Sequence, residues 1–179
     1  MLQIPKFLNP AIGGAALCVL ASCAEQPQAH RSAAAKTNLR RMQHVRTTAY
    51  THTERGGHHN AIGKRLAGHN IMSAASDWSR FPLGTRFRIV GTKEEYIIDD
   101  YGTALIGTNT IDLYKTSRLE MRRWGVRNVD IDILEWGSEA ESLKVLGPRT
   151  KHRSVRRMVT ALQKKNGEMA AQAVLGASL

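Results

Sequence analysis

Between Val45 and Gly137 the apolar runs are short, rich in β-branched and aromatic residues, and closed off by Gly, Pro, Asn or Asp. Runs of that length and makeup read as strands, and the spacing predicts six of them. They cover Arg46 to Thr51, Ile71 to Ala75, Thr85 to Val90, Glu95 to Asp99, Thr110 to Tyr114 and Val126 to Leu134. One short helix interrupts them: Ser117 suits its N-cap, Glu120 can return a bond to that cap, and Gly125 suits its stop. Six short strands in so small a domain favour a closed barrel, which leaves no exposed edges, over an open sheet. The expected class is therefore mainly β.

At 179 residues, with 42% hydrophobic and 23% charged, the chain has room for one ordinary domain with attachments but not for two sizeable cores. A net charge of +11 favours an anionic partner, whether nucleic acid, anionic lipid or an acidic wall polymer, and selects none of them. The N-terminus narrows the choice. Residues 1–23 read as an export segment, with Lys6, an apolar run from Phe7 to Leu20, and the ending Leu20-Ala21-Ser22-Cys23. That ending resembles a bacterial lipobox, in which Cys23 becomes the acylated first residue; the alternative is an ordinary cleaved signal with Cys23 incidental. Export argues against a nucleic-acid partner, and lipidation would tether the chain to a membrane, with the outer membrane the expected place. Cys18 lies inside the same segment, so the mature chain could form no internal disulfide and its fold must rest on packing. Residues 24–44, poor in large apolar side chains, read as a flexible tether ahead of a domain at 45–137.

Within that domain, Pro82-Leu83-Gly84 and Asp100-Tyr101-Gly102 read as turns, and Pro82, Gly84, Gly102, Gly107 and Gly125 have architectural roles. Asp112 differs. In Ile111-Asp112-Leu113-Tyr114, alternation puts Ile111 and Leu113 on one face and the carboxylate with Tyr114 on the other. Asp130 and Asp132 alternate with Val129, Ile131 and Ile133 and form the solvent face of the last strand.

Taken in order, Asp77 with Phe81-Pro82-Leu83-Gly84-Thr85, Asp100-Tyr101-Gly102-Thr103 through Gly107, Ile111-Asp112-Leu113-Tyr114, Arg123-Trp124-Gly125-Val126 and the run Val129 to Leu134 resemble the three-aspartate or 3D domain. That domain occurs in bacterial wall proteins and in membrane-bound lytic transglycosylases. The resemblance implies a double-psi β-barrel acting on the glycan strands of peptidoglycan. It further implies Asp112 as the catalytic acid with Asp100 beside it, Tyr114, Tyr101 and Thr103 as substrate contacts, Asp77 as a mainly structural aspartate, and no cofactor.

A lytic transglycosylase can work with one carboxyl group, which protonates the glycosidic oxygen and then takes the proton of the sugar's own 6-hydroxyl. Asp112 needs a raised pKa for this, from apolar surroundings or from a like charge such as Asp100. The alternative is that Asp112 only ties down backbone amides. Likewise, the whole domain is either an enzyme or a non-catalytic module that binds or loosens the wall. His52, Glu54, His58 and His59 match no closed zinc pattern, so no metal is expected, and with Gly56-Gly57 they read as a loop over the cleft. Trp78, Trp124 and Trp136 read as core before sugar platforms.

The tail, residues 138–179, begins with an acidic patch at Glu139 to Glu141 and a break at Gly147-Pro148. Val155, Met158, Val159 and Leu162 then fall at helical spacing opposite Arg153, Arg156, Arg157, Lys164 and Lys165, with Asn166-Gly167 expected to weaken the helix. Such a basic amphipathic helix can dock on the barrel, lie on an anionic membrane, or contact an acidic polymer.

Overall fold

The computed structural model describes residues 40–54 and 56–176. The export segment, Cys23 and the tether up to residue 39 lie outside the described residues. Six strands form: β1 (Arg40–Tyr50), β2 (Ile71–Ala75), β3 (Arg86–Ile89), β4 (Glu95–Asp100), β5 (Ile111–Tyr114) and β6 (Arg127–Glu135). They close into a barrel in the order β1-β5-β2-β4-β3-β6. β1 with β5 and β2 with β4 run parallel, and the other neighbours run antiparallel. No hairpin can make a parallel pair, so the chain crosses over itself twice to close the barrel, as the double-psi expectation requires.

β1 starts at Arg40, ahead of the expected boundary at 45. Arg40 to Met42 pair with β6, and a register shift between Met42 and Val45 separates this stretch from the rest of β1. His44 takes positive φ there, its N–H bonded to the Asp130 carboxylate, while Asp132 holds Arg41 at 2.8 Å. Paired backbone and two carboxylates thus order a stretch whose composition alone would leave it loose.

The core is the barrel interior. Phe87, Ile98, Ile111, Leu113 and Ile131 are fully buried, and Trp78 and Tyr96 join them. Helix α1 (Arg118–Trp124) follows the expected caps: the Ser117 hydroxyl accepts from the Glu120 N–H, and Gly125 stops the helix at φ 62°. Helix α2 (Glu139–Leu146), where only an acidic patch was read, starts from Ser138, whose hydroxyl accepts from the Glu141 N–H. The signal was present as Ser-x-x-Glu at 138–141. Helix α3 (Arg153–Gly176) docks by its apolar stripe, burying Val155, Met158, Val159 and Leu162 in the same cluster as the barrel. It continues through Asn166-Gly167, where a single glycine costs only about 1 kcal/mol.

Trp78 and Trp124 are core as expected, but Trp136 is 43% exposed. It lies one residue past β6, where its ring stacks on Phe81 and lies beneath the Arg40 guanidinium. Next to it, Gly137 passes so close to the Pro82–Leu83 turn that a Cβ would lie 2.3 Å from the Leu83 carbonyl oxygen, so no other residue fits there.

Candidate functional site

The site is assembled by register. Ala75 on β2 pairs with Asp112 of β5 on one side and with Asp100 of β4 on the other, and Asp112 pairs in turn with Thr48 of β1. Residues paired across neighbouring strands share a face, so Thr48, Asp112, Ala75 and Asp100 form one row across four strands. Ile111 and Leu113 point the other way, into the core. With strands spaced about 4.8 Å apart, the Cα atoms of the two aspartates lie about 10 Å from each other, with only a methyl group between them.

A bulge sets which aspartate joins the row. Ala74 pairs with Ile98 but Ala75 with Asp100, so Asp99 is skipped. Bulges re-aim side chains in this way. Asp99 instead turns into a buried network, its Oδ2 accepting from Asn60 Nδ2 at 2.8 Å and Ser73 Oγ at 2.7 Å. Asn60 Oδ1 in turn accepts the N–H groups of Ile62 and Lys64, which pins the loop between β1 and β2.

That loop roofs a cavity of about 160 Å³ whose walls include Asp100, Asp112, Tyr50, Tyr101, Glu54 and His59. Asp112 accepts one hydrogen bond, from the Thr48 hydroxyl at 2.6 Å on Oδ1. Burial raises its pKa, and the Glu54 carboxylate raises it further, against the Thr48 bond and the Arg46 charge. Asp100 accepts from the Tyr101 N–H at 2.9 Å and, more weakly, from the Tyr50 hydroxyl at 3.5 Å. Burial pushes its pKa up to about 6; the Tyr101 N–H opposes this and the neighbouring Asp99 charge adds to it. Tyr50 is raised by burial and then by Asp100, Asp99 and Asp112, which keeps its phenol a neutral donor. Two carboxyl groups inclined to hold protons thus face one small roofed space.

Asp77 presents the opposite arrangement. It is 2% exposed, its Oδ1 accepts from the Ser79 N–H and hydroxyl, and its Oδ2 accepts from the Gly107 N–H at 2.7 Å. It ties the corner after β2 to the turn before β5, where Gly107 adopts φ 87°. The turn through Thr108 to Thr110 then delivers Ile111 into the core, so β5 enters in the register that aims Asp112 at the cavity.

The remaining expected contacts divide. Tyr101 lines the Asp112 cavity, packed edge-on against Trp78. Tyr114 shares the face of Asp112 but lines neighbouring cavities, its hydroxyl 2.9 Å from His52 Nδ1. Thr103 is exposed on a single 3-10 turn, Thr103–Leu105, away from the cavity wall. Thr48 and Tyr50, in a Thr-Thr-Ala-Tyr stretch that resembles the start of the domain, and Asp99, a like charge near Asp100, are not assigned to the site by the sequence, and the structure places them in or beside it. Thr48 and Tyr50 carried a signal in the alternation of β1, whereas the pairing of Asp99 with Asn60 depends on a loop fold that no local pattern encodes.

Residues 72–135 match the family model of the 3D domain, a peptidoglycan-related domain family. The matched span contains all three aspartates and leaves β1, with Thr48 and Tyr50, outside it. A search of curated proteins returns no match.

Proposed function

We propose that this 3D-domain barrel cleaves the glycan strands of peptidoglycan as a lytic transglycosylase, at the bond between N-acetylmuramic acid and N-acetylglucosamine. The observation that carries the proposal is the row in which Asp112 and Asp100 flank Ala75 beneath the β1–β2 loop. Asp112 accepts only the Thr48 hydroxyl among the described residues, so its second oxygen is left for a substrate. Its raised pKa suits a group that must arrive protonated.

Asp112 gives its proton to the glycosidic oxygen as the bond to C1 of the muramic acid breaks. The departing sugar leaves with that proton, and positive charge develops at C1. Asp112, now a carboxylate, takes the proton of the 6-hydroxyl of the same sugar as that oxygen closes onto C1. The products are a 1,6-anhydro end and a free hydroxyl, and no water is consumed. Asp100, in its ionised form, stabilises the positive charge at C1, and the neutral Tyr50 hydroxyl orients it. The loop carrying Glu54 and His59 keeps water from competing.

The test is incubation of the protein with purified peptidoglycan, followed by mass spectrometry for anhydro-ended muropeptides. Products from the parent that disappear in Asp112→Asn support cleavage; binding without products would instead assign the barrel to the wall-binding modules. The proposal extends to the N-terminus. Lipidation at Cys23 would hold the barrel at the outer membrane facing the wall, and incorporation of labelled fatty acid that is lost in Cys23→Ala checks it.

A further inference from the structure

The face that holds Asp112 continues past it. The Asp112 cavity shares Leu66 with a second cavity of about 380 Å³, which shares Gly68, Tyr114 and Thr116 with a third of about 360 Å³. The rings of Tyr50 and Tyr114, 5.6 Å apart, mark the step between the first cavity and the others. The three cavities therefore lie in succession along one side of the barrel, from the aspartates past the end of β5 to helix α1.

At its far end the chemistry changes from acidic to basic. Lys115 is buried there and already partnered: its ammonium donates to the Tyr96 hydroxyl at 2.6 Å and to Glu94 at 3.3 Å, and lies 4.8 Å from the Trp124 ring. Glu120 is engaged too, accepting the Thr116 hydroxyl at 2.7 Å. Arg127 lies over Trp124 at 4.3 Å, and its Nε and Nη2 donate to the Trp124 and Arg123 carbonyls. Among the described residues, no carboxylate lies within ion-pairing distance of Arg123 or Arg127. The acids of this cavity are spent on other partners, whereas the Arg123 guanidinium and the Nη1 group of Arg127 remain for an anion. Met72 and Trp124 add an apolar wall, and cations already flank Trp124, so its ring offers a sugar no open platform.

We infer that this third cavity takes a carboxylate of the short peptide substituents borne by the glycan strand whose sugars pass the aspartates. The inference rests on the proposed glycan substrate and names a second part of it. A guanidinium fork matches a carboxylate in shape and charge, and the apolar wall suits the methyl groups of a lactyl or alanyl unit. Tyr114 follows Asp112 by two positions on β5, a rise of about 7 Å, and lines both farther cavities, so the third cavity begins about that far along the strand from the aspartate.

The test compares soluble peptidoglycan strands that carry their peptides with the same strands stripped of them by an amidase. Titration calorimetry on the intact protein should show the peptide-bearing strands binding about tenfold more tightly, a gap that narrows as salt is raised. The double variant Arg123→Glu, Arg127→Gln should erase the gap and leave affinity for bare strands unchanged. Because Arg127 also bonds helix carbonyls, the exposed Arg123→Glu alone is the second probe, and Arg123→Lys, which keeps the charge but not the fork, should keep only part of the gap. Asp112→Asn should keep the gap while losing products. Equal affinity for both strands in the parent, or variants that weaken both equally, would overturn the inference and leave the cleavage reading standing. A gap without products would uphold the inference and remove the cleavage step, and no binding of either strand would remove both.

Discussion

Asp77 and Asp112 are the same residue type, brought to neighbouring corners of one barrel, and their surroundings assign them different work. Asp77 is sealed and saturated, with donors from Ser79 and Gly107 on both of its oxygens. Asp112 is partly open and accepts one hydroxyl. Donor supply is what separates a fastener from a reactive group: donors on both oxygens fix a carboxylate in the fold, whereas a carboxyl group with one donor keeps an oxygen for a substrate.

The sharpest way to break this contrast is to replace each carboxylate by its amide. Asp112→Asn keeps the acceptor for Thr48 and removes the titratable proton, so cleavage should fall by roughly a thousandfold with little change in urea midpoint. Asp77→Asn puts an NH₂ group where one oxygen now accepts, against donors from Ser79 or Gly107. It should lower stability by about 2–3 kcal/mol, and whatever fraction stays folded should cleave at near the parent rate. If Asp77→Asn instead abolished cleavage in a fully folded protein, the division between the two aspartates would be wrong.

A milder probe acts on the same fastener from the other side. Gly107 donates its N–H to Asp77 from φ 87°, a conformation an alanine adopts only under strain. The new Cβ would also come within 2.9 Å of Arg157 Nη2, although that flexible side chain can move aside. Gly107→Ala should cost about 1–2 kcal/mol in a denaturation experiment. Since β5 follows directly, activity should drop only as far as the register of Asp112 loosens.

Much of this was legible from the sequence. The alternation at Ile111 to Tyr114 already aimed Asp112 away from the core, and each expected strand has its counterpart in the barrel. What stayed hidden depends on pairing between distant segments. The sequence ended β4 at Asp99, and only the bulge opposite Ala74 and Ala75 shows that Asp100 takes the place beside Ala75. Arg40 to His44 look like tether because their order comes from β6, some 90 residues away, through Asp130 and Asp132. Trp136 looked like core by residue type, and its exposure follows from its place just past the last strand. Local pattern sets facing and periodicity; which backbone lies alongside is a property of closure.

The finest test of the contrast concerns Asp100, which stands between its two extremes, with one strong donor and partial burial. Its pKa is raised to about 6 from an ordinary value of 3.8, mainly by desolvation. Between those values the folded protein binds more protons at this site than the unfolded chain, so stability falls as pH rises through the window. The contribution is full below pH 3.8 and lost by the time pH passes about 6, and solvent access limits it to roughly 1 kcal/mol. Asp99 and Asp112, also raised, tilt the curve the same way, whereas Asp132, lowered by Arg41, acts oppositely at the acid end. The separable signal is therefore a difference between proteins. Asp100→Asn should flatten the decline in melting temperature from pH 4 to 6.5 and gain stability relative to the parent at pH 7. A parent and variant whose curves run parallel across that range would mean that Asp100 is as well solvated as a surface carboxylate. The row would then hold one proton-retaining group, and the ionised partner assigned to C1 would owe nothing to its burial.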